Sequence, residues 1–255
     1  MIFILQLSIF PNPKIQFDLI AQTENYIVVY KPANVSTQPG IGHEQDTLMN
    51  GVFDRFGATL QNLGKKRDFG LLHRLDQGTS GLVLIALTID GYDQLRKCFE
   101  NHQIQKRYLV LIHGAIKPIK GIIDYPIAEK IIQGRKKAVV GEGQSATTKY
   151  RVIAQNPQAS LLHCEIITGK LHQIRAHFAS LRHPVIGDYE YGHLGTQSPL
   201  NQKFKTIARH HLALHADQLS FEDPWLKQKV TYHAELSQGF KEMLAFLGLA
   251  SAIGQ

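Results

Sequence analysis

The stretch HRLDQGTSGLVLIA, residues 73–86, joins a charged segment, a turn and a long apolar run. The apolar run LVLIAL, residues 82–87, predicts a buried strand, because no polar side chain interrupts it. The glycines and small polar residues of QGTSG, residues 77–81, predict a turn before that strand. Asp76 therefore lies where a loop meets the sheet. A carboxylate at such a cleft rim is partly desolvated and needs a cationic partner to stay ionised.

Two interpretations of Asp76 follow from its position. In the first, the carboxylate caps the turn by bonding the backbone near Thr79, as aspartates in turns often do. In the second, Asp76 is a functional carboxylate, and its partner comes from elsewhere in the chain. Spacing alone leaves both interpretations open.

Cations that could partner Asp76 occur in a later helical pattern. His172 and Arg175 are i and i+3 beside an apolar stripe, and Arg182 lies two turns beyond Arg175. A solvated basic face is the alternative interpretation. Gly169 and Lys170 predict a tight helix start after a strand, and such a start presents free N–H groups that attract phosphates.

Along the rest of the chain, the sequence predicts strands and helices that do not alternate regularly. Strands are expected at 26–30, 108–112, 149–153, 161–167 and in the His-rich stretch after residue 208, and residues 133–143 are expected to form a hairpin or flexible loop. Helices are expected around Leu95, Cys98 and Phe99 with Asp90 as N-cap, along the stripe Leu171, Ile174, Phe178 and Leu181, and at the C-terminus, with Asn201 in a loop. This order predicts an α+β fold: a mixed, largely antiparallel sheet with flanking helices and loops.

Composition limits the function classes. The chain has 255 residues, 44% of them hydrophobic, and a formal net charge of +7, which suits a polyanionic partner but also an ordinary basic enzyme. Cys98 and Cys164 are expected to be small buried hydrophobes, so a reducing cytoplasm is predicted. We expect no metal: His172 and His177 are five residues apart, and His210, His211 and His215 lack acidic or thiolate ligands nearby.

The N-terminus MIFILQLSIF is apolar but lacks a basic region and a cleavage site, and it is too short to span a bilayer. Residues 1–20 are therefore predicted to form an extension or edge strand, and no membrane association is expected. We find no Walker loop, dinucleotide-binding fingerprint or serine-hydrolase elbow in the sequence.

Five segments resemble the RluA-type RNA pseudouridine synthases, in family order. They are residues 30–40 (YKPANVSTQPG), 73–86 (the HRLD segment), 106–114 (KRYLVLIHG), 168–192 (beginning TGKLHQIRAHF) and 212–224 (LALHADQLSFEDP). HRLD followed about a hundred residues later by TG-x-x-HQIR is very specific. The resemblance implies the pseudouridine synthase fold in one catalytic domain, residues 21–250, and isomerisation of uridine in RNA without a cofactor.

The resemblance also implies roles for individual residues. Asp76 would be the catalytic aspartate, Arg175 its ion-pair partner, and Tyr108 the platform that stacks on the flipped uracil. Arg74 would fill the gap left in the RNA, which agrees with the extrusion that chemistry on a base within folded RNA requires. Further RNA-binding residues are expected to be His73, Lys106, Lys170, His172 and Arg182. Lys170 stands where arginine is commoner, which keeps the charge but loses the bidentate fork.

The substrate and its binding surface are less defined. About 25 residues precede the first core strand, so no S4-type RNA-binding domain is expected, and the catalytic domain must hold the RNA, through Lys65, Lys66, Arg67, Arg135, Lys136 and Lys137. A solvated surface is the alternative for these six. Residues 99–108 resemble tRNA-directed members, and residues 135–152 resemble members that act on ribosomal RNA. We expect a monomer acting on tRNA, with 23S rRNA as the alternative substrate and an inactive RNA-binding module as a third interpretation.

Overall fold

A computed structural model describes residues 9–192, 198–208 and 212–252. The strands are β1 Asp18–Gln22, β2 Tyr26–Lys31, β3 Ser80–Ala86, β4 Gln105–His113, β5 Lys120–Asp124, β6 Ile127–Ile132, β7 Arg135–Val140, β8 Thr147–Gln155, β9 Ala159–Ile166, β10 Leu214–Asp223 and β11 Gln228–His233. The helices are α1 Leu48–Leu60, α2 Ile89–Glu100, α3 Gln173–Ser180, α4 Pro199–Ala208 and α5 Gln238–Phe246. Short 3-10 turns cover Gln61–Leu63, Lys65–Gly70 and Ala250–Ala252.

The chain divides into two compact units. The first unit is Met1–Gln103 with Glu222–Tyr232, and its strands β1, β2 and β3 pair antiparallel in that order. Every residue of β3 is buried, as its uninterrupted apolar sequence predicts. The register sets Lys31, the last residue of β2, opposite Gly81 at the start of β3. The end of β2 is thereby brought beside the turn that follows Asp76.

The second unit is Ile104–Phe221 with His233–Gln255. Its sheet has the order β10, β4, β9, β8, β5, and the described registers are all antiparallel. A separate two-stranded sheet consists of β6 and β7. Strand β10 continues past Phe221 into the first unit, where it pairs with β11.

The predicted fold class is confirmed. The hairpin or flexible loop expected at residues 133–143 is the turn and second strand of the β6–β7 hairpin with the turn that follows it. Three local expectations are wrong. Asn201 lies in α4 rather than in a loop, Thr88 rather than Asp90 caps α2, and α3 begins only at Gln173, so that Leu171 and Leu181 lie outside it.

Some predictions fall outside the described residues. These include residues 1–8 of the expected extension and the histidines His210 and His211. The predicted single catalytic domain, residues 21–250, stays a prediction beside the division into two units. Among the described residues, no helix is long and apolar enough to cross a membrane.

Candidate active site

A buried threonine holds the loop that carries Asp76. The Thr37 hydroxyl donates to the Leu75 carbonyl oxygen at 2.7 Å and accepts from the Leu75 amide at 3.1 Å. The turn after Asp76 closes when the Thr79 amide donates to the backbone oxygen of Asp76 at 3.0 Å. The main chain of Asp76 therefore closes this turn.

Lys31 is a functional candidate that the sequence reasoning missed. Its side chain is fully buried, and its ammonium Nζ donates to the carbonyl oxygens of Pro32 at 2.9 Å, Val35 at 2.6 Å and Gln77 at 3.2 Å. Three acceptors match the three donors of an ammonium group. Burial lowers the pKa of Lys31 to about 7, and the nearby charge of Asp76 opposes that change. Lys31 is therefore a cation whose charge interacts with that of Asp76 within the first unit.

The two residues before Leu75 have different surroundings. His73 Nε2 accepts from the Leu84 amide at 3.0 Å, which anchors the loop to β3, and its ring packs against Phe99 at a centroid distance of 5.1 Å. Arg74 is exposed. Contact with RNA is accordingly easier to assign to Arg74 than to His73, although both assignments stay predictions.

Arg175 is buried in the second unit and does not lie on a solvated basic face. Its Nε donates to Asp188 Oδ2 at 2.8 Å, and its Nη2 donates to Asp188 Oδ1 at 3.1 Å and to Glu190 Oε2 at 2.9 Å. The guanidinium carbon lies 4.9 Å from the ring centroid of Tyr191. A bidentate pair of this kind fixes both position and orientation of the guanidinium.

The fully buried Asp188 carboxylate is kept ionised by its partners. Burial alone would raise its pKa, but the Arg175 guanidinium and the amides of Glu190 and Tyr191 outweigh that effect and hold the pKa below its ordinary value. Asp188, Glu190 and Tyr191 are further residues that the sequence reasoning missed. They lie in GDYEYG, a stretch within the quoted third motif, so the signal was present but no role was attached to it.

The start of α3 differs from the expectation of free N–H groups. His172 precedes the helix in the left-handed conformation with φ 49°, and the Gln173 side-chain oxygen accepts from the Lys170 amide at 3.1 Å and from the Thr168 hydroxyl at 2.8 Å. The Lys170 amide is thus already hydrogen-bonded within the protein, and a phosphate site at Gly169–Lys170 has no support.

The remaining predicted cations around α3 are dispersed. The Lys170 ammonium donates to Gln144, His172 Nδ1 lies 2.7 Å from the Tyr191 hydroxyl, and Arg182 is exposed beyond the helix end. His172 and Arg175 both contact Tyr191. The structure therefore brings these two predicted site residues together, whereas Arg182 lies apart in a turn.

Tyr108 and Lys106 share one face of β4, because side chains two residues apart point to the same side of a strand. Tyr108 is buried opposite Cys164 on β9, and Lys106 is opposite Ile166. Burial lowers the pKa of Lys106 to about 8. Asp76 belongs to the first unit while Tyr108 and Arg175 belong to the second, so their predicted convergence stays a prediction.

The candidate RNA-binding lysines and arginines are mostly on the surface. Lys65 and Lys66 are exposed, as are Arg135 and Lys136 on β7, whereas Arg67 forms a bidentate pair with Asp93 at 2.9 and 3.1 Å. In the part of the chain that the structure describes, no group of three or more metal-ligating side chains is found.

Comparison with known proteins decides the family. The model described as RNA pseudouridylate synthase matches residues 25–180. The chain belongs to the RNA pseudouridylate synthase family. As an RNA pseudouridine synthase it is an isomerase, and the matched region contains Lys31, Asp76, Tyr108 and Arg175. Asp188 and Glu190 lie just beyond it.

Relatives of this pseudouridine synthase cover nearly all of it. A ribosomal large subunit pseudouridine synthase D of Zymomonas mobilis subsp. mobilis is 31% identical over 93% of this chain and 74% of its own length. The protein of the same name from Nitrosomonas europaea is 31% identical over 90% of this chain and 65% of its own length. The structure of human RNA Pseudouridylate Synthase Domain Containing 4 matches the fold with a TM-score of 0.69 at 24% identity, over 90% of this chain and 92% of that one.

Proposed function

We propose that this pseudouridine synthase converts uridine to pseudouridine in large-subunit ribosomal RNA. The observation that carries the proposal is the name shared by relatives that are 31% identical over 90% or more of this chain, ribosomal large subunit pseudouridine synthase D. The sequence alone favours tRNA, with ribosomal RNA as the alternative. The relatives favour the alternative.

We assign the chemistry to Asp76. Acting as nucleophile or base on the target nucleoside, Asp76 assists cleavage of the bond between the ribose C1′ and uracil N1. The uracil then rotates and rejoins C1′ through its C5, and any bond that Asp76 has formed to the nucleoside breaks again. The C5 proton passes to water, and N1 takes up a proton from water. Atoms and electrons balance without an external oxidant or reductant, so no cofactor is required. A carboxylate can do this only while ionised, and Lys31 is close enough for its charge to interact with that of Asp76.

Arg175 and Tyr108 complete the proposed site. We assign Arg175 as ion-pair partner of Asp76, and within the second unit Asp188 fixes the guanidinium through two hydrogen bonds. Tyr108 is the aromatic surface on which the extruded uracil stacks, and the exposed Arg74 occupies the space that the base leaves. The exposed basic residues of β7 and of the Lys65–Gly70 turn supply sequence-independent attraction for phosphates.

The reaction is tested with an Asp76→Asn variant. Asparagine keeps the shape of the side chain but can neither act as a base nor attack as a carboxylate. We expect loss of tritium release from C5-labelled uridine in ribosomal RNA, while the dissociation constant for that RNA stays within about twofold of wild type. The matched control is Asp54→Asn, since Asp54 is an exposed carboxylate on α1 of the same unit. Turnover by Asp76→Asn at the control's rate would refute the assignment.

The substrate is tested separately by mapping pseudouridine in total RNA from cells with and without the gene. We expect one or more large-subunit ribosomal RNA sites to disappear and to return with wild-type protein but not with Asp76→Asn. Loss of tRNA sites alone would overturn the ribosomal assignment and leave the reaction standing.

A further inference from the structure

A cavity of about 760 Å³ with both polar and apolar walls lies in the second unit, on one face of its five-stranded sheet. Its walls include strand residues Arg107, Leu109, Arg151 and His163, the β10 residue Asp217 and the segment that leads into α5. Arg151, His163 and Leu109 form one cross-strand row, because Arg151 is opposite His163 and His163 is opposite Leu109. Directly opposed residues share a sheet face.

This cavity is separate from Tyr108. On β4 the side chains of Arg107 and Leu109 alternate with that of Tyr108, so they point to the opposite face. The neighbour of Tyr108 on β9 is Cys164, which likewise alternates with His163. The site proposed for catalysis therefore does not account for the charged groups in the cavity.

The charges at its edge favour an anion. Arg151 is exposed and stands directly opposite Lys120 on β5. Like charges in directly opposed positions destabilise a sheet, and a bound anion removes that repulsion. Among the residues that the structure describes, Arg151 has no ion-pair partner, whereas Lys241 on the far wall lies 3.6 Å from Glu235. Arg151 is thus the cation most available to a ligand.

The floor of the cavity offers an acceptor. Asp217 is 6% exposed, and its Oδ2 accepts both Nε and Nη2 of Arg107, with Nε at 3.0 Å. Its Oδ1 is buried and has no hydrogen-bond partner among the described residues. A buried carboxylate oxygen without a donor is costly, so a rotation of the Asp217 side chain that lets an N–H or O–H group of a ligand reach Oδ1 would be favoured.

A ligand with an anionic group at one end and a hydrogen-bond donor at the other fits this arrangement, because Arg151 on β8 and Asp217 on β10 are separated by two strands. We propose that the cavity binds one nucleotide of a single-stranded stretch of the RNA substrate, with a phosphate at Arg151 and a base N–H or ribose hydroxyl donating to Asp217 Oδ1. Cavities of about 300–1,000 Å³ hold small ligands, and an unstacked nucleotide is of that size. The inference rests on the proposed function in that the ligand is RNA.

The test measures the affinity for a fluorescent single-stranded oligoribonucleotide by anisotropy. We expect Arg151→Glu to weaken binding roughly tenfold or more and to lower the salt dependence by about one phosphate contact. Lys205→Glu on α4 is the control, because it makes the same charge change at an exposed lysine that does not line the cavity. Equal affinities of the two variants would overturn the proposal.

Binding of free 5′-ribonucleotides distinguishes a site for a nucleotide within RNA from a site for a free mononucleotide. If they bind wild type in an Arg151-dependent way while the oligoribonucleotide does not, the site is for a mononucleotide and the RNA assignment is wrong. Asp217→Asn is a second variant that should weaken oligoribonucleotide binding, and its thermal unfolding is measured in parallel. Should this variant fail to fold, the exposed Arg151 still decides the question.

Measurements of kcat and KM test this second binding site separately from the proposed function. With a long RNA substrate, Arg151→Glu should raise KM and leave kcat unchanged. With a stem–loop that contains only the target uridine and its helix, both constants should match wild type. Absence of turnover by wild type on every RNA would refute the proposed function, whereas an unchanged KM for the long RNA would refute only the second binding site.

Discussion

Lys31→Met tests the buried cation beside Asp76. Methionine keeps most of the apolar length of Lys31 and removes its ammonium group from a fully buried position. In the folded chain, burial lowers the pKa of Lys31 from its ordinary 10.5 to about 7. The protonated form is therefore less favourable in the folded protein than in the unfolded chain.

The sign and size of the change in stability with pH follow from the difference in the pKa of Lys31 between the folded and unfolded chain. Between pH 7 and 10.5 the unfolded chain keeps the Lys31 proton while the folded chain has released it, so the free energy of unfolding rises with pH in this window. The slope is at most about 1.4 kcal/mol per pH unit, and the whole window corresponds to about 5 kcal/mol. Below pH 7 both states are protonated, and Lys31 adds no further change.

The assay is urea unfolding of wild type and Lys31→Met at pH 6, 7, 8 and 9. The variant lacks donors for three backbone carbonyl oxygens, but that cost does not depend on pH. The stability of wild type relative to the variant should be level up to about pH 7 and then increase by about 2–3 kcal/mol by pH 9. A difference that stays constant from pH 6 to 9 would refute the reasoning.

Two further variants test the supports of the site. Asp188→Asn leaves the buried Arg175 with a weaker partner, so we expect the free energy of unfolding to fall by roughly 3 kcal/mol and kcat to fall with it. Urea unfolding measures the first effect and tritium release the second. An unchanged stability would contradict the pairing. Thr37→Val removes both hydrogen bonds to Leu75 at nearly constant volume and should cost about 1–3 kcal/mol, whereas Thr37→Ser, which retains the hydroxyl, should cost less.

The regular elements of the sheet could be predicted because their side-chain periods are strong. The uninterrupted apolar run of β3 and the aromatic and β-branched run of β2 each have a length and composition typical of buried strands. The limits of α3 could not be predicted in this way. Leu171 and Leu181 continue the apolar spacing, but the left-handed backbone at His172 begins the helix later than the pattern suggests.

Sequence motifs identified candidate site residues such as Asp76 and Arg175. They did not identify residues such as Lys31, whose role depends on tertiary contacts. Lys31 precedes a proline at a strand end, which suggests an exposed lysine, since lysine is rarely buried without partners. Its partners are backbone carbonyls of Pro32, Val35 and Gln77, and the last of these is 46 residues away. Such acceptors leave no trace in side-chain patterns, because every residue has a carbonyl group.

The charges around Arg175 explain why Lys31 matters for the proposed mechanism. Within the second unit, Arg175 already pairs with two carboxylates, those of Asp188 and Glu190. One guanidinium that also served Asp76 would face three negative charges, so its positive charge would be shared among three carboxylates. Within the first unit, the Lys31 ammonium supplies a positive charge that acts on Asp76. We therefore infer that Arg175 chiefly orients the proposed catalytic carboxylate, and that Lys31, while protonated, adds positive charge beside it.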